Sequence, residues 1–347
     1  MDKIDIKSLN IEELESFIED LGDKKFRGKQ IFDWLHNKLI SQIDDMSNVS
    51  KNLKQQLKDK SIVTNLKPLE KHENTAKDTI KYLFELDDGM VVESVLMRYK
   101  HGNSVCISSQ VGCKMGCKFC ASTIGGLERN LTPGEMLDQI YQIQKDINER
   151  VSHVVVMGTG EPLDNYDNLI RFIELLTNEH GLHISGRNIT VSTCGIVDKI
   201  HQLADEKLQI TLAISLHSPN DEVRKQIMPI ADKYSIEEVL EACKYYFNIT
   251  RRRITFEYSL IHGVNDKEEY AYELAKKLKN INCHVNLIPV NPIKEREYKH
   301  STSSQVSKFK NILEKYGINV TIRREMGTDI DAACGQLRKS YVDKTTK

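Results

Sequence analysis

Apolar residues recur every three to four positions in the first part of the chain. The spacing is seen over residues 9–18, over residues 29–39, which include Ile31, Phe32, Trp34 and Leu35, and over the highly charged residues 49–57. This is the period of an amphipathic α-helix. It predicts a small helical accessory domain over residues 1–75.

The pattern becomes strand-like at about residue 78. Two runs rich in β-branched and aromatic residues lie on either side of Asp87, Asp88 and Gly89. A turn signal between two such runs is typical of a β-hairpin. We therefore predict a hairpin extension over residues 76–104, between the accessory domain and the rest of the chain.

Short apolar strands then alternate with amphipathic helices. The predicted strands cover residues 105–109, 153–157, 188–192, 209–215, 253–258, 284–290 and 319–323, and the predicted helices include residues 133–147, 166–177, 236–246 and 268–278. This alternation indicates parallel strands joined by crossover helices. It predicts an α/β fold, a partial (β/α)6 barrel over residues 105–340 with a tail at residues 341–347. In such folds the chemistry lies at the C-terminal ends of the strands.

Composition and charge narrow the classes of protein without selecting one. The chain of 347 residues is 39% hydrophobic and 29% charged, which favours a soluble protein with a sizeable core. No stretch approaches the roughly 20 apolar residues that cross a bilayer, and residues 1–21 lack the apolar segment of a signal peptide. We expect a cytoplasmic protein without membrane association.

The basic residues are unevenly distributed. Net charge is −1, but Lys and Arg cluster at residues 24–29, 51–60 and 251–253. Each cluster is equally consistent with a solvated face and with phosphate contacts on RNA.

Three of the eight cysteines form a C-x3-C-x2-C motif: Cys113, Cys117 and Cys120. A structural zinc site usually takes four ligands, and no fourth Cys or His lies close by in the sequence. Three thiolates can instead hold three irons of a cubane and leave the fourth iron open. That iron can bind the amino and carboxylate groups of S-adenosylmethionine (SAM), whose reductive cleavage yields a 5′-deoxyadenosyl radical. The motif predicts a [4Fe-4S] cluster and SAM as cofactors.

Polar residues and glycines end several of the predicted strands. Taken singly, each is commonly an ordinary residue of a strand end, but the ends of parallel strands meet at one mouth. Glycines there let a ligand approach the backbone, and Glu161 can accept from the SAM ammonium. The candidate SAM contacts are Gly160, Glu161, Ser192, Ser215, Leu216, His217 and Asn291.

Five segments, in order, closely resemble the RlmN family of radical SAM RNA methyltransferases: GCKMGCKFCAS, MGTGEPLDN, ISLHSPN, HVNLIPVNP and DIDAACGQL. The resemblance spans about residues 20–340 and implies a radical SAM barrel. It also implies methylation of C2 of an adenosine in the peptidyl-transferase centre of 23S rRNA and of one beside the tRNA anticodon. The related Cfr family methylates C8. Its members typically carry Ala where this chain has Pro162, and residues 321–325 also resemble RlmN.

The resemblance assigns roles to three further residues. Cys334 is methylated by a first SAM, and a radical from a second SAM then activates that methyl group for addition to the adenine. By the same resemblance, Cys106 helps remove the ring proton and forms a disulfide with Cys334, which releases the product. Glu93 matches a position assigned as a proton acceptor.

The implied chemistry has a physical rationale. Adenine C2 lies between two ring nitrogens and is electron-poor, so it does not attack a methyl sulfonium, whereas a carbon radical can add to it. Thiol–disulfide exchange then offers a facile way to cut the sulfur link. Two rivals remain, a radical SAM enzyme of another class and a non-catalytic electron-transfer module.

The resemblance also implies partners. These are 23S rRNA, tRNA and a cellular electron donor, and we expect a monomer. The helical N-terminal segment, with Lys25, Arg27, Lys29 and Trp34, is a candidate RNA-gripping surface.

Overall fold

The computed structural model describes residues 3–324 and 326–337. Glu325, which belongs to the RlmN-like stretch 321–325, and the predicted tail at 341–347 lie outside the described residues. The strands are β1 (Ile4–Asp5), β2 (Ser61–Ile62), β3 (Lys67–Glu73), β4 (Thr79–Glu85), β5 (Val91–Tyr99), β6 (Gly102–Ile107), β7 (Gln110–Gly112), β8 (Leu127–Asn130), β9 (Val151–Val156), β10 (Ile189–Thr193), β11 (Thr211–Ser215), β12 (Ile254–Leu260), β13 (Cys283–Pro289) and β14 (Asn319–Ile322).

Helices cover much of the remaining chain. They are α1 (Ile11–Asp20), α2 (Arg27–His36), α3 (Lys51–Lys60), α4 (Pro133–Ile147), α5 (Tyr166–Thr177), α6 (Val197–Asp205), α7 (Asp221–Ile227), α8 (Ile236–Thr250), α9 (Glu268–Leu278) and α10 (Ser303–Lys315).

One ten-stranded sheet organises the described part of the molecule. Its order is β14-β13-β12-β11-β10-β9-β6-β5-β4-β3. The strands from β6 to β14 in this sheet are parallel, and β3, β4 and β5 extend it as antiparallel strands. Six parallel strands, β6 and β9 to β13, are each followed by at least one helix, so the prediction of a partial (β/α)6 barrel is confirmed, and β14 adds a seventh parallel strand.

The predicted hairpin exists, but it continues the barrel sheet. β4 and β5 pair through seven residues each, and Gly89 takes a φ of +81° in their turn. β5 then pairs with β6, the first barrel strand, through Val95 and Cys106. The hairpin therefore brings its own side chains to the wall of the barrel.

The helical region ends earlier than the sequence pattern indicated. Residues 67–73 form β3, so the prediction of helix up to residue 75 is wrong for them. This edge strand is mostly exposed and carries no apolar periodicity. Its conformation comes from its pairing with β4, which a local pattern cannot show.

The N-terminal helices share a hydrophobic core with the barrel. Two buried polar contacts join the two parts. The Lys7 ammonium lies 2.6 Å from the Asp138 carboxylate, and both side chains are 1% exposed. His36 Nδ1 lies 2.8 Å from the Tyr141 hydroxyl. These contacts anchor the accessory region on α4.

Among the described helices, none has both the length and the apolar character needed to cross a membrane.

Candidate active site

The three cysteines of the motif lie on a loop that leaves β7 and ends in the 3-10 turn Ala121–Thr123. Gly112 begins the loop with a φ of +75°, and a Cβ there would lie 2.0 Å from the Gly126 oxygen. The Cys113 N–H donates to that same oxygen at 2.9 Å, and the Thr123 hydroxyl donates to the Cys117 carbonyl at 3.1 Å. These bonds curl the loop around one cavity, which Cys113, Cys117 and Cys120 all line.

The three thiols fit a cluster with one open iron. Burial raises the pKa of each thiol, that of Cys113 to about 12. The charge of Cys120 acts on Cys113, and the charges of Cys113 and Cys120 act on Cys117, so the three sulfurs lie close together. Such thiols ionise when iron neutralises them. Within residues 3–324 and 326–337, no three His, Cys, Asp or Glu side chains converge on a single metal ion.

Six of the seven candidate SAM contacts line the same cavity, whose volume is about 150 Å³: Gly160, Glu161, Ser192, Ser215, His217 and Asn291. The seventh, Leu216, does not line it. The Leu216 side chain is buried in the core, and its N–H donates to the Glu257 carbonyl at 3.1 Å. The backbone at this position holds two barrel strands together.

Gly160 and Glu161 shape one wall of the cavity. Gly160 has a φ of +115°, and a Cβ there would lie 2.7 Å from the Ser109 hydroxyl. The Glu161 carboxylate is 3% exposed and accepts from the N–H groups of Leu163 and Cys194 at 3.0 and 2.8 Å. Burial raises the Glu161 pKa, and these hydrogen bonds oppose the rise. A buried carboxylate so held is a good partner for a cationic amine.

His217 faces the cavity as a neutral ring. The Ser259 N–H donates to His217 Nδ1 at 2.8 Å, so the ring proton lies on Nε2. Burial, followed by the positive charge of Arg224, lowers the His217 pKa to about 3. The ring also packs edge-on against Phe119 of the cysteine loop, with centroids 4.8 Å apart.

Cys106 and Cys334 line a second cavity together, and Cys334 also lines the first. Asn291 fixes the Cys334 backbone by donating from Nδ2 to its carbonyl at 3.0 Å. Burial, followed by the charge of Cys334, raises the Cys106 pKa to about 12, whereas the Arg323 guanidinium opposes the rise. Arg323 lines both cavities, so a cation lies beside the cysteine pair.

Glu93 lies next to this pair of cavities and lines neither of them. Its carboxylate is 2% exposed and lies 3.5 Å from the Lys81 ammonium. It lines a third cavity with Ser122 and Thr159, and Ser122 also borders the first cavity. The proton-acceptor role of Glu93 stays a prediction.

Sequence reasoning missed Glu257, which lines the first cavity. Glu257 is 4% exposed. Its Oε1 accepts from Asn286 at 2.9 Å, and its Oε2 has no hydrogen-bond partner; Arg323 is 4.0 Å away. A signal was present in the sequence, because polar and apolar residues alternate along β12 and a carboxylate on the polar face points into the barrel.

Comparisons with known proteins agree with this geometry. The Radical SAM superfamily matches residues 107–275, and the ribosomal RNA large subunit methyltransferase N-terminal domain matches residues 4–63. The probable dual-specificity RNA methyltransferase RlmN of Lachnoclostridium phytofermentans is 60% identical over 344 residues, which cover 99% of this chain and 97% of that protein. Its counterpart in Lachnospira eligens is 63% identical over 339 residues, 98% and 97% of the two chains. The chain belongs to the RlmN family.

A solved structure supports the same assignment. The crystal structure of a radical SAM methyltransferase from Sphaerobacter thermophilus superposes with a TM-score of 0.93 at 41% identity, over 97% of this chain and 99% of that one. The RlmN-family chain is therefore an RNA methyltransferase with the radical SAM fold. Its superfamily uses a [4Fe-4S] cluster and SAM, which agrees with the cofactors that the cysteine motif predicts.

Proposed function

We propose that this enzyme methylates C2 of adenosine in 23S rRNA and in tRNA next to the anticodon, through a methyl group carried on Cys334 and two SAM molecules per turnover. Cys113, Cys117 and Cys120 hold the cluster. Gly160, Glu161, Ser192, Ser215, His217 and Asn291 surround SAM, with the backbone at Leu216 behind them.

One observation carries the proposal. Cys106 and Cys334 are far apart in the sequence, yet they share a cavity that adjoins the one lined by the cysteine motif. A radical SAM enzyme that merely abstracts hydrogen from its substrate has no use for two further thiols there. A methyl carrier and a resolving thiol need this adjacency.

The chain's residues have separate tasks in this scheme. When bound, the cluster and SAM supply the methyl group, a carbon radical and an acceptor for the electron that the RNA adduct gives up. The Cys334 sulfur carries the methyl carbon, which gives up one hydrogen atom to the carbon radical and then bonds to adenine C2. Cys106 takes the C2 proton and gives it up again. Its sulfur then bonds to that of Cys334 while the carbon–sulfur bond breaks, and the electron pair of that bond stays with the carbon, which takes up a proton and leaves with the base as a methyl group.

A positive charge lies beside the two sulfurs that these steps use. The positive charge of Arg323 acts on Cys334 first and also on Cys106. Thiolates, not thiols, are the nucleophiles in methyl transfer and in disulfide formation. A guanidinium cannot lose its proton in a protein, so Arg323 stays a permanent counter-charge for both steps.

The N-terminal region is the proposed RNA-gripping surface. Lys25 is exposed and lies 3.6 Å from Glu15. Trp34 donates to Asn48 at 2.6 Å, and the Lys38 ammonium lies 3.8 Å above its ring. A ring held in this way with cations around it can stack on a base. We also propose a monomeric cytoplasmic enzyme that is served by a cellular electron donor.

The test is anaerobic reconstitution with iron, sulfide and SAM, followed by mass spectrometry of nucleosides from treated 23S rRNA and tRNA. We expect 2-methyladenosine from the natural enzyme and none from Cys334→Ala. The Cys106→Ala variant should accumulate a covalent protein–RNA adduct, because the resolving thiol is gone. Cys283→Ala is the matched control, since Cys283 lines neither cavity, and it should retain activity.

Other outcomes would overturn the proposal. Production of 8-methyladenosine would indicate Cfr-type chemistry. Full activity of Cys334→Ala would indicate a radical SAM enzyme that needs no methyl carrier.

A further inference from the structure

Arg224 is a fully buried arginine outside both cavities. It lies on α7, its exposure is 0%, and it heads the fully buried side chains by volume. Nη1 donates to the Tyr234 carbonyl at 3.2 Å, and Nη2 donates to the Cys194 carbonyl at 2.7 Å. Nε has no hydrogen-bond partner. The guanidinium is thus bonded only to neutral groups.

No carboxylate oxygen of the described residues lies within 4.0 Å of this guanidinium. Asp221, on the same helix, is the carboxylate whose charge acts on it, but Asp221 Oδ1 accepts from the Ile236 N–H at 2.8 Å. Arginine cannot shed its proton, and a buried charge without a counter-ion costs several kcal/mol. The described protein atoms leave this charge largely uncompensated.

The surroundings of α7 indicate what compensates it. The Lys118 N–H, within the cysteine loop, donates to the Ile227 carbonyl at 2.9 Å. A Cβ on Gly116 of that loop would lie 3.3 Å from Pro229, just after the helix. Ile227 also belongs to the hydrophobic cluster against which Cys117 packs. The helix that carries Arg224 therefore lies directly under the cluster-binding loop.

Charge counting completes the argument. A cubane with two positive charges and three thiolate ligands is a monoanion, and one-electron reduction makes it a dianion. A buried cation stabilises the dianion more than the monoanion, and low dielectric strengthens the effect. We propose that Arg224 is the built-in counter-charge of the iron–sulfur cluster and raises its reduction potential, so that a cellular donor can reduce it. This inference rests on the proposed cluster ligands.

A purely structural role makes a different prediction. If Arg224 only connects the loops of Cys194 and Tyr234, its replacement changes thermal stability and leaves the reduction potential of the assembled cluster unchanged. The reduction potential of the cluster distinguishes the two roles. The Arg224→Lys variant also distinguishes them, because lysine keeps the positive charge but cannot donate to both carbonyls in the same geometry.

The experiment is an EPR-monitored redox titration of the reconstituted enzyme without SAM, with iron content and thermal unfolding measured in parallel. For Arg224→Gln we expect the ratio of reduced to oxidised cluster at a fixed applied potential to be about tenfold smaller. For a one-electron couple this corresponds to a reduction potential about 59 mV lower. Arg224→Lys should recover most of the shift. Arg252→Gln is the control. Arg252 also donates to a backbone carbonyl, that of Ile210, but it lies at the other end of the barrel strands. The cluster of this variant should have the same reduction potential as that of the natural enzyme.

A second variant covers a failure of Arg224→Gln to fold. Asp221→Asn keeps the oxygen that accepts from Ile236 and removes the opposing charge, so the potential should rise. An unchanged potential in a folded Arg224→Gln or in Asp221→Asn would overturn the inference. A natural enzyme that assembles no [4Fe-4S] cluster would overturn the proposed function, and this inference with it.

Discussion

At the scale of single residues, the cavity is built from groups that local pattern alone leaves undistinguished. Glu161 and Glu257 are both buried carboxylates on its wall, but their bonding differs. Both Glu161 oxygens accept from backbone N–H groups, whereas one oxygen of Glu257 has no hydrogen bond and only the Arg323 guanidinium at 4.0 Å. A buried acceptor without a hydrogen bond is costly, so we expect a ligand to supply the donor.

Glu257→Gln should therefore weaken SAM binding. A hydrogen bond to a charged acceptor contributes about 1.5–3 kcal/mol, so we expect at least about a tenfold rise in the SAM dissociation constant, with the cluster intact by absorbance. Equilibrium dialysis with labelled SAM measures it. Glu237→Gln, at an exposed glutamate outside the cavity, is the control. Equal SAM dissociation constants in the two variants would show that Glu257 contributes to the protein structure and not to SAM binding.

At the scale of elements, close helix contacts depend on particular small residues. α1 begins with a capping box in which Asn10 and Glu13 satisfy each other's backbone N–H groups. α2 crosses it at Gly28, where a Cβ would lie 2.6 Å from the Glu15 nitrogen. The backbones of the two helices touch at this point, so a side chain cannot enter without moving one of them.

Gly28→Ala should destabilise the chain by about 1–3 kcal/mol, because overpacking forces a backbone shift. Urea unfolding measures the change. The matched variant is Gly186→Ala, since a Cβ at Gly186 would have no neighbour closer than 3.5 Å, and it should cost far less. Equal losses would mean that α1 and α2 separate without strain.

The contact between α2 and α4 is sensitive to pH. Burial, followed by the charge of Lys7, lowers the His36 pKa from 6.5 to about 3. The unfolded chain binds the proton more readily than the folded chain. The contribution of neutral His36 to the free energy of unfolding is therefore complete above pH 6.5 and is lost as the pH falls toward 3. We expect about 1.4 kcal/mol of lost stability per pH unit from this histidine between pH 6 and pH 4.

Urea unfolding at several pH values tests this. In His36→Asn, the free energy of unfolding should depend less on pH, by the slope given above. In His180→Asn, at an exposed histidine, the pH dependence should be that of the natural chain. Parallel slopes in the His36→Asn and natural chains would contradict the assignment of a neutral buried ring.

At the scale of the whole molecule, residues 326–337 join the antiparallel strands to the barrel. Asp329 accepts from both the N–H and the hydroxyl of Thr75 at 2.9 Å. At the other end, the Gly335 carbonyl accepts from the Ala121 N–H at 2.7 Å, just after the cysteine loop. Cys334 is thus held between two parts of the molecule that are distant in sequence.

Asp329→Ala should loosen this segment without unfolding the protein. Both hydrogen bonds to Thr75 are lost, so we expect faster hydrogen exchange over residues 326–335 and slower methyl transfer to Cys334, with thermal unfolding nearly unchanged. Asp232→Ala, at an exposed aspartate, should change neither. Unaltered exchange in Asp329→Ala would show that the Thr75 contact does not hold the segment.

The sequence pattern predicted helix bounds correctly where local interactions are enough to determine the conformation. The predicted bounds of α4, α5 and α9 match the structure, since each helix has a clear amphipathic period, and α4 also starts with a capping box at Thr132. The pattern failed at β3, whose conformation comes from a neighbouring strand. It also passed over Arg224, because the lack of a hydrogen bond from Nε and of a nearby carboxylate among the described residues is a property of packing.

By itself, the sequence determined the alternation of strands and helices after residue 105, the parallel barrel and the three-cysteine motif, because periodicity and ligand spacing act over a few residues. Only the tertiary structure decided which distant groups share a cavity. It brings Cys334 beside Cys106, leaves one oxygen of Glu257 without a hydrogen bond and buries Arg224 beneath the cysteine loop. The physical reason is that burial and electrostatic environment depend on the whole surrounding shell of atoms, which the chain assembles only when it folds.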